Sequence, residues 1–141
     1  MDSAELAQLV AASVPFAAVL GIEIGAVTPQ QVTATMDWIP DRCTTGGILH
    51  GGALMAFADT IGALCAVANL PAGAGTATIE SKTNFFRAVR GGSVTAISTP
   101  LHVGRTTIVA QTDLSDDRGK LVARVTQTQA VLPPTQAVLP Q

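Results

Sequence analysis

Residues 46–69 read GGILHGGALMAFADTIGALCAVAN, and this stretch decides the fold. A histidine and a glycine pair precede a long apolar run that contains one carboxylate, Asp59. Between Cys43 and Ile79, no other residue carries a full charge. Because an uncompensated acid is costly to bury, Asp59 is predicted to do chemistry.

The apolar run predicts one helix over residues 51–69, which Leu70, Pro71 and the following glycines end. It is long enough to raise the question of a membrane span. However, a charge at the middle of a span costs about 2.5–3.5 kcal/mol, and many of the apolar residues are only alanine and glycine. A buried helix of a soluble domain is the better interpretation.

The rest of the chain predicts a short helix and about six strands. Before the central helix we expect a helix over 2–14 ended by Pro15, a connector over 16–20, hairpin strands over 22–27 and 31–38, and a loop over 39–47. After it, glycine-rich turns predict strands over 76–87, 93–103, 105–114 and 120–132. Short connections favour antiparallel pairing, so the fold class is α+β.

The segment TQAVLP occurs at residues 128–133 and again at 135–140. We expect the first copy to finish the last strand and the second to be irregular. The predicted organisation is one domain over residues 1–132 and a tail over residues 133–141.

The amino-acid composition favours some classes of binding partner and disfavours others. Of the 141 residues, 48% are hydrophobic and 13% charged, so we expect apolar surface to be covered by other copies of the chain. A net charge of −2 with no basic run disfavours nucleic acid. Cys43 and Cys65 have no metal spacing and are predicted to be free thiols in a reducing, cytoplasmic compartment. The first residues lack the basic region of a secretion signal.

Gly51 and Gly52 lie where a loop enters the helix. A helix start has free N–H groups and a partial positive charge, and glycine lets another atom approach them. This suits an oxyanion during acyl transfer, although the glycines could serve only a tight turn. We interpret His50 as a residue that supports this loop rather than as a general base.

Asp59 lies inside the helix rather than at its start, where structural aspartates usually act as caps. No cation stands three or four residues away, at Met55, Ala56, Gly62 and Ala63. A raised pKa or a polar partner from elsewhere is expected, and either suits a general base or nucleophile. The alternative is an acid bonded to backbone or water at an interface.

The spacing of Gly51 and Asp59 predicts an assembly. They are eight residues apart, or about 12 Å along one helix, and cannot flank the same bond within one copy. Two antiparallel helices related by a two-fold axis would bring them together. Small residues that would permit such close contact are Ala56, Gly62, Ala63 and Ala66.

The segments GGIL, HGGALMAFAD, SKTNFFRAV and HVGRTT resemble the hotdog-fold acyl-CoA thioesterases, especially the phenylacetate-pathway and 4-hydroxybenzoyl-CoA groups. The resemblance covers residues 16–132. It implies a curved antiparallel sheet around the central helix, dimers that pair into tetramers, and hydrolysis of an acyl-CoA. It also implies that Gly51 is the oxyanion donor, His50 the loop organiser, and Asp59 the base or nucleophile from the partner subunit.

The same resemblance suggests further site residues. Thr44 stands where the family often has asparagine or glutamine, and Thr78, with Thr76 next, is the candidate hydroxyl that holds the attacking water. Phe85 and Phe86 are more typical of core than of an acyl-pocket wall. Candidate substrate contacts are Gly52, Phe85, and the cations Lys82, Arg87, Arg90 and Arg105, which suit the phosphates of coenzyme A.

Coenzyme A is part of the substrate, so no cofactor and no metal is expected. The acyl group remains open among aryl, phenylacetyl-type and medium-chain groups. One alternative function is a non-catalytic acyl-CoA binding or sensing module. Another is an enoyl-CoA hydratase, but its Asp-x4-His arrangement would need histidine where Leu64 stands.

Overall fold

The computed structural model describes residues 2–134. Its α-helices are α1 (Ser3–Ser13), α2 (Pro15–Val19) and α3 (Gly51–Val67). Its strands are β1 (Glu23–Val27), β2 (Val32–Asp37), β3 (Cys43–Thr44), β4 (Ile48–Leu49), β5 (Gly75–Phe85), β6 (Ser93–Val103), β7 (Thr107–Ser115) and β8 (Leu121–Leu132). No helix in this part of the chain combines the length and apolarity needed to cross a bilayer.

Six strands form one antiparallel sheet in the order β1-β2-β6-β7-β8-β5. Helix α3 packs across one face of this sheet and contacts β2 and β5 to β8. The fully buried side chains of Phe57 and Ile61 lie between the helix and core residues of the sheet such as Met36 and Val94. The predicted α+β arrangement of one long helix on a six-stranded sheet is confirmed.

Helix α3 has a buried face and an outward face. The alternation of its buried and exposed residues follows the helical period. Leu54 and Cys65 are buried among the core residues, whereas Met55 and Val67 are exposed. Asp59 lies on the outward side and is half-buried. The helix therefore presents its carboxylate away from its own sheet.

Two predicted irregular segments are wrong. Residues 16–20 do not form a connector, because Pro15 opens α2 as its first residue, where its missing N–H costs nothing. The predicted loop over 39–47 contains a 3-10 turn at Pro40–Arg42 and the strand β3, and β4 follows it directly. Gly46 and Gly47 have φ of +83° and +71°, which lets the chain reverse tightly between those strands.

The expected contact of small residues with a partner helix is also wrong in part. Gly62 and Ala66 are buried within the protomer, and a Cβ on Gly62 would overlap the side-chain amide of Gln127. Ala56 and Ala63 are only partly buried. The gap at Gly62 serves a contact within the protomer, which sequence spacing alone does not distinguish from a helix–helix contact.

Phe85 and Phe86 are not core residues, since they are 49% and 56% exposed. They lie at the end of β5, an edge strand whose only partner strand within residues 2–134 is β8. Strand β8 ends at Leu132, so the first TQAVLP copy completes the last strand as predicted. The second copy lies outside the described residues.

Candidate active site

The loop that enters α3 is fixed by His50. Its Nδ1 accepts a hydrogen bond from the N–H of Gly52 at 2.7 Å, which caps the helix. Its own backbone N–H donates to the carbonyl of Arg42 at 2.9 Å. Because Nδ1 accepts a bond, that nitrogen carries no proton in this arrangement. The geometry gives His50 a capping contact on the helix and a backbone bond to the preceding segment.

The first N–H of α3 is available. The backbone N–H of Gly51 has no acceptor among residues 2–134, as is usual for the first turn of a helix. The ring of Phe85 lies over this residue, since a Cβ on Gly51 would come within 3.3 Å of it. A helix start with an unused donor beside an aromatic ring can hold an oxygen that gains negative charge.

Asp59 lines a cleft of about 350 Å³ between α1 and α3. The other lining residues are mostly apolar, namely Leu6, Leu9, Val10, Ser13, Val14, Thr60, Ala63, Leu64 and Val67. Burial raises the pKa of the Asp59 carboxyl above its ordinary value. Within residues 2–134, its carboxylate makes no hydrogen bond or ion pair. Sequence reasoning missed the contribution of α1, whose apolar spacing signals a buried face but not its partner.

The Gly51 end of α3 faces a different cleft. This second cleft, of about 530 Å³, lies between α2 and α3 and includes His50, Gly52 and Ala56. Asp59 is not among its lining residues. One protomer therefore does not bring the helix start and the carboxylate together in one cleft.

The β3–β4 hairpin carries Thr44 close to the helix start. Thr44 is exposed and pairs with Ile48 across the hairpin. The guanidinium of Arg90 lies against the same hairpin, with Nη1 3.5 Å from the Gly46 carbonyl. The structure thus places Thr44 and Arg90 near the Gly51 end of the molecule.

The other predicted cations are dispersed. Arg87 follows β5 near Phe85, and its N–H donates to the Val122 carbonyl. Lys82 pairs with Thr126, which the strand pleat places on the sheet face opposite α3. Arg105 lies in the β6–β7 turn beside residues that pair with the start of β5, about 30 Å from Phe85 along that strand.

Thr78 lies on the α3 side of β5, opposite Gln129 of β8. The side-chain amide of Gln129 donates a 2.7 Å hydrogen bond to the Thr78 hydroxyl. Gln129 and its neighbour Gln127 are fully buried, and sequence reasoning missed both. Their signal was present, because the strand period places them on the same face as Val125, where apolar residues are expected.

Within the part of the chain that the structure describes, no group of three or more His, Cys, Asp or Glu side chains could hold a metal ion. Cys43 and Cys65 are free thiols, as predicted. Burial raises the pKa of the Cys65 thiol, and a hydrogen bond with Ser98 partly offsets this rise.

Comparison with known proteins agrees with this architecture. Residues 46–123 match the family described as the thioesterase superfamily. A solved thioesterase from Haemophilus influenzae is similar with a TM-score of 0.89 and 32% identity, over 99% of this chain and 96% of that one. A thioesterase mutant from Pseudomonas aeruginosa has a TM-score of 0.85 and 31% identity, over 90% and 94% of the two chains.

One curated relative has a named activity. The 1,4-dihydroxy-2-naphthoyl-CoA hydrolase of Escherichia coli is 31% identical over 86 residues, which cover 61% of this chain and 63% of the relative. The matched family segment begins at Gly46 and includes all of α3 with Asp59. The chain therefore belongs to the thioesterase superfamily and is a hotdog-fold enzyme of that family.

Proposed function

We propose that the protein hydrolyses an acyl-CoA thioester to a free acid and coenzyme A, at a site shared by two copies of the chain. The observation that carries the proposal is the Asp59 carboxylate, which lies in an apolar cleft with a raised pKa. An acid without an internal partner suits proton transfer or attack on an external group. The unused Gly51 N–H is the oxyanion donor.

The chemistry needs only water and the thioester. In the general-base route, the Asp59 carboxylate takes a proton from water, whose oxygen bonds to the thioester carbonyl carbon. The carbonyl oxygen becomes negative and is stabilised by Gly51 N–H. The carbon–sulfur bond then breaks, and the thiolate of coenzyme A takes the proton from Asp59. In the nucleophilic route, the Asp59 carboxylate attacks the carbonyl carbon, and the carbon–sulfur bond breaks to expel the thiolate of coenzyme A. Water then hydrolyses the resulting anhydride, which releases the free acid and restores the Asp59 carboxylate, and the thiolate takes the remaining proton.

The two clefts suggest where the substrate lies. The Asp59 cleft, of about 350 Å³, is at the small end of ligand pockets, which run from about 300 to 1,000 Å³. Its apolar lining suits one aromatic ring or a medium acyl chain, so the phenylacetate-pathway and 4-hydroxybenzoyl-CoA types remain our proposed subfamilies. Arg87 and Arg90 are the favoured phosphate contacts, because they lie at the Gly51 end of the molecule.

The exposed edge of β5 supports the dimer. A two-fold axis normal to the sheet beside β5 would pair two copies of this strand and place both α3 helices on one face, antiparallel. Each helix start would then point toward the middle of the other helix. Ile79, Phe85 and Phe86, which are exposed in the protomer, would be covered. We expect dimers that associate further into tetramers.

A turnover assay tests the proposal. Aromatic and aliphatic acyl-CoAs are incubated with the protein, and released coenzyme A is followed with a thiol reagent. Asp59→Asn should lower kcat by about 10²–10⁴-fold, whereas Asp37→Asn, which changes an exposed acid elsewhere, should not. Acyl-CoA binding without release of the thiol would indicate a binding or sensing module and overturn the proposal.

A further inference from the structure

Two glutamines occupy a place where apolar side chains would suffice. Gln127 and Gln129 of β8 are 0% exposed, and Ala123 and Val125, farther along the strand, are buried as well. An amide that is buried without hydrogen bonds destabilises the folded state. Such a pair in the core of a small domain therefore calls for a specific use.

The backbone of α3 fixes the direction of the hydrogen bonds that these glutamines make. Gln127 Nε2 donates to the carbonyl oxygen of Ala58 at 3.2 Å. Because a carbonyl can only accept, the amide of Gln127 must present its Oε1 to Gln129. Gln129 Nε2 donates to that Oε1 at 2.6 Å. Its Oε1 lies 3.1 Å from the hydroxyl of Thr76.

The chain of bonds ends at an exposed hydroxyl. Gln129 Nε2 uses its second proton for the hydroxyl oxygen of Thr78, at 2.7 Å. The Thr78 proton has no acceptor within residues 2–134, and the residue lies exposed on the free edge strand β5. The strand is irregular between Thr78 and Glu80, and such bulges commonly re-aim a side chain beside a functional site.

Gly62 is an independent sign that the arrangement is specified. Glycine inside a helix is destabilising relative to alanine. At this position a Cβ would overlap the amide of Gln127. The helix thus leaves space for the side chain that begins the chain of bonds.

We propose that Gln127 and Gln129 are positioning residues that hold the Thr78 hydroxyl as a hydrogen-bond donor to an oxygen atom of the reacting group. That oxygen belongs either to the thioester carbonyl or to the attacking water. The inference rests on the proposed thioesterase function. It assigns Thr78 a defined polarity, since its hydroxyl oxygen accepts from Gln129 and its proton is left for an oxygen of the reacting group.

A double-mutant cycle on the full-length protein tests this inference. Thr78→Val and Gln129→Met are made singly and together, and kcat and KM are measured with the acyl-CoA that the wild type hydrolyses fastest. Each single variant should lower kcat by about 10–100-fold with KM changed by less than about threefold. The double variant should be no slower than the slower single one, because Gln129 acts through Thr78. Thr78→Ser should restore most of the rate.

Two further variants keep the test decisive. Thr126→Val, on the same strand as Gln129, should retain wild-type turnover. Gln127→Met replaces Gln129→Met if the latter does not fold, and it should show the same non-additivity. Multiplying losses in the double variant, full activity of Thr78→Val, or a loss that follows dissociation of the oligomer would each overturn the inference.

An assay in which hydroxylamine replaces water as the acyl acceptor shows whether the Thr78 hydroxyl contacts the thioester carbonyl or the attacking water. If the hydroxyl contacts the thioester carbonyl, Thr78→Val should slow acyl transfer to hydroxylamine by the same factor as it slows hydrolysis. It should slow only hydrolysis if the hydroxyl contacts the attacking water. A wild type that hydrolyses no acyl-CoA would refute the proposed function itself. An active wild type that is inactivated by Asp59→Asn but insensitive to Thr78→Val would refute only the role of the glutamines.

Discussion

The polar groups on the two sides of α3 differ in whether they have hydrogen-bond partners within the fold. On the inner side, the carbonyl of Ala58 and the amides of Gln127 and Gln129 are buried and hydrogen-bonded to one another. On the outer side, the next residue along, Asp59, has a half-buried carboxylate without a partner among residues 2–134. The inner groups are complete within the fold, whereas the outer one needs a group from outside it.

This difference separates structure from chemistry at neighbouring positions of one helix. A satisfied buried network rigidifies the core and fixes proton directions. An unpaired acid in an apolar cleft is protonated more readily than an exposed one, because burial raises its pKa. The outer side is therefore expected to respond to pH and the inner side to packing.

The pH dependence of turnover should give the largest effect. Asp59 acts only when ionised, so kcat/KM should fall about tenfold per pH unit below its pKa. Because burial raises that pKa, the acid limb should have its midpoint above the ordinary aspartate value of 3.8. Initial rates across pH, with circular dichroism to show that the fold persists, provide the measurement. A midpoint at or below 3.8 would remove Asp59 from the reaction.

Substitution of Gly62 tests the packing on the inner side of α3. Alanine in place of a helix glycine usually stabilises by about 0.5–1 kcal/mol. Here Gly62→Ala should destabilise by about 1–3 kcal/mol, because the new Cβ displaces Gln127. In a Gln127→Ala background the same substitution should stabilise. Urea unfolding of the four proteins measures both differences, and stabilisation in the wild-type background would contradict the packing of Gln127 on Gly62.

His50 gives the smallest expected change and concerns the helix start. His50→Ala should lower the free energy of unfolding by about 0.5–2 kcal/mol, since the Gly52 N–H loses its cap. His50→Asn keeps a side-chain acceptor and should lose less stability and less turnover. Unfolding free energies and kcat are compared for both variants. Equal and large losses of kcat, with stability retained in His50→Asn, would instead indicate a general base.

The strand pattern and the central helix were predictable because they depend on local signals. Alternation in β2 and glycine turns after α3 fixed most strands to within one or two residues. The short hairpin of β3 and β4 was not predicted, because a two-residue strand is too short to show a periodic pattern. Pro15 predicts the end of the first helix, but proline is equally suited to open a helix, as it does in α2.

The residues of the candidate site likewise fall into those with a local sequence signal and those without one. Gly51, His50 and Asp59 stand out in sequence because a glycine pair and a lone acid are unusual in an apolar run. The polarity of Thr78 could not be predicted, since it depends on Gln129, 51 residues away. The position of Arg105 at the far end of the sheet likewise follows from strand register rather than from composition.

Subunit complementation tests most directly whether Asp59 of one copy serves Gly51 of another. Gly51→Val, whose side chain would press on Phe85, and Asp59→Asn should each be inactive alone. Equal amounts are dissociated, mixed and reassociated, and the mixed dimers are confirmed with two affinity tags. Half of the dimers should be mixed, each with one intact site, so turnover should recover to about one quarter of wild type. Mixed dimers that form but remain inactive would show that both residues act within one protomer.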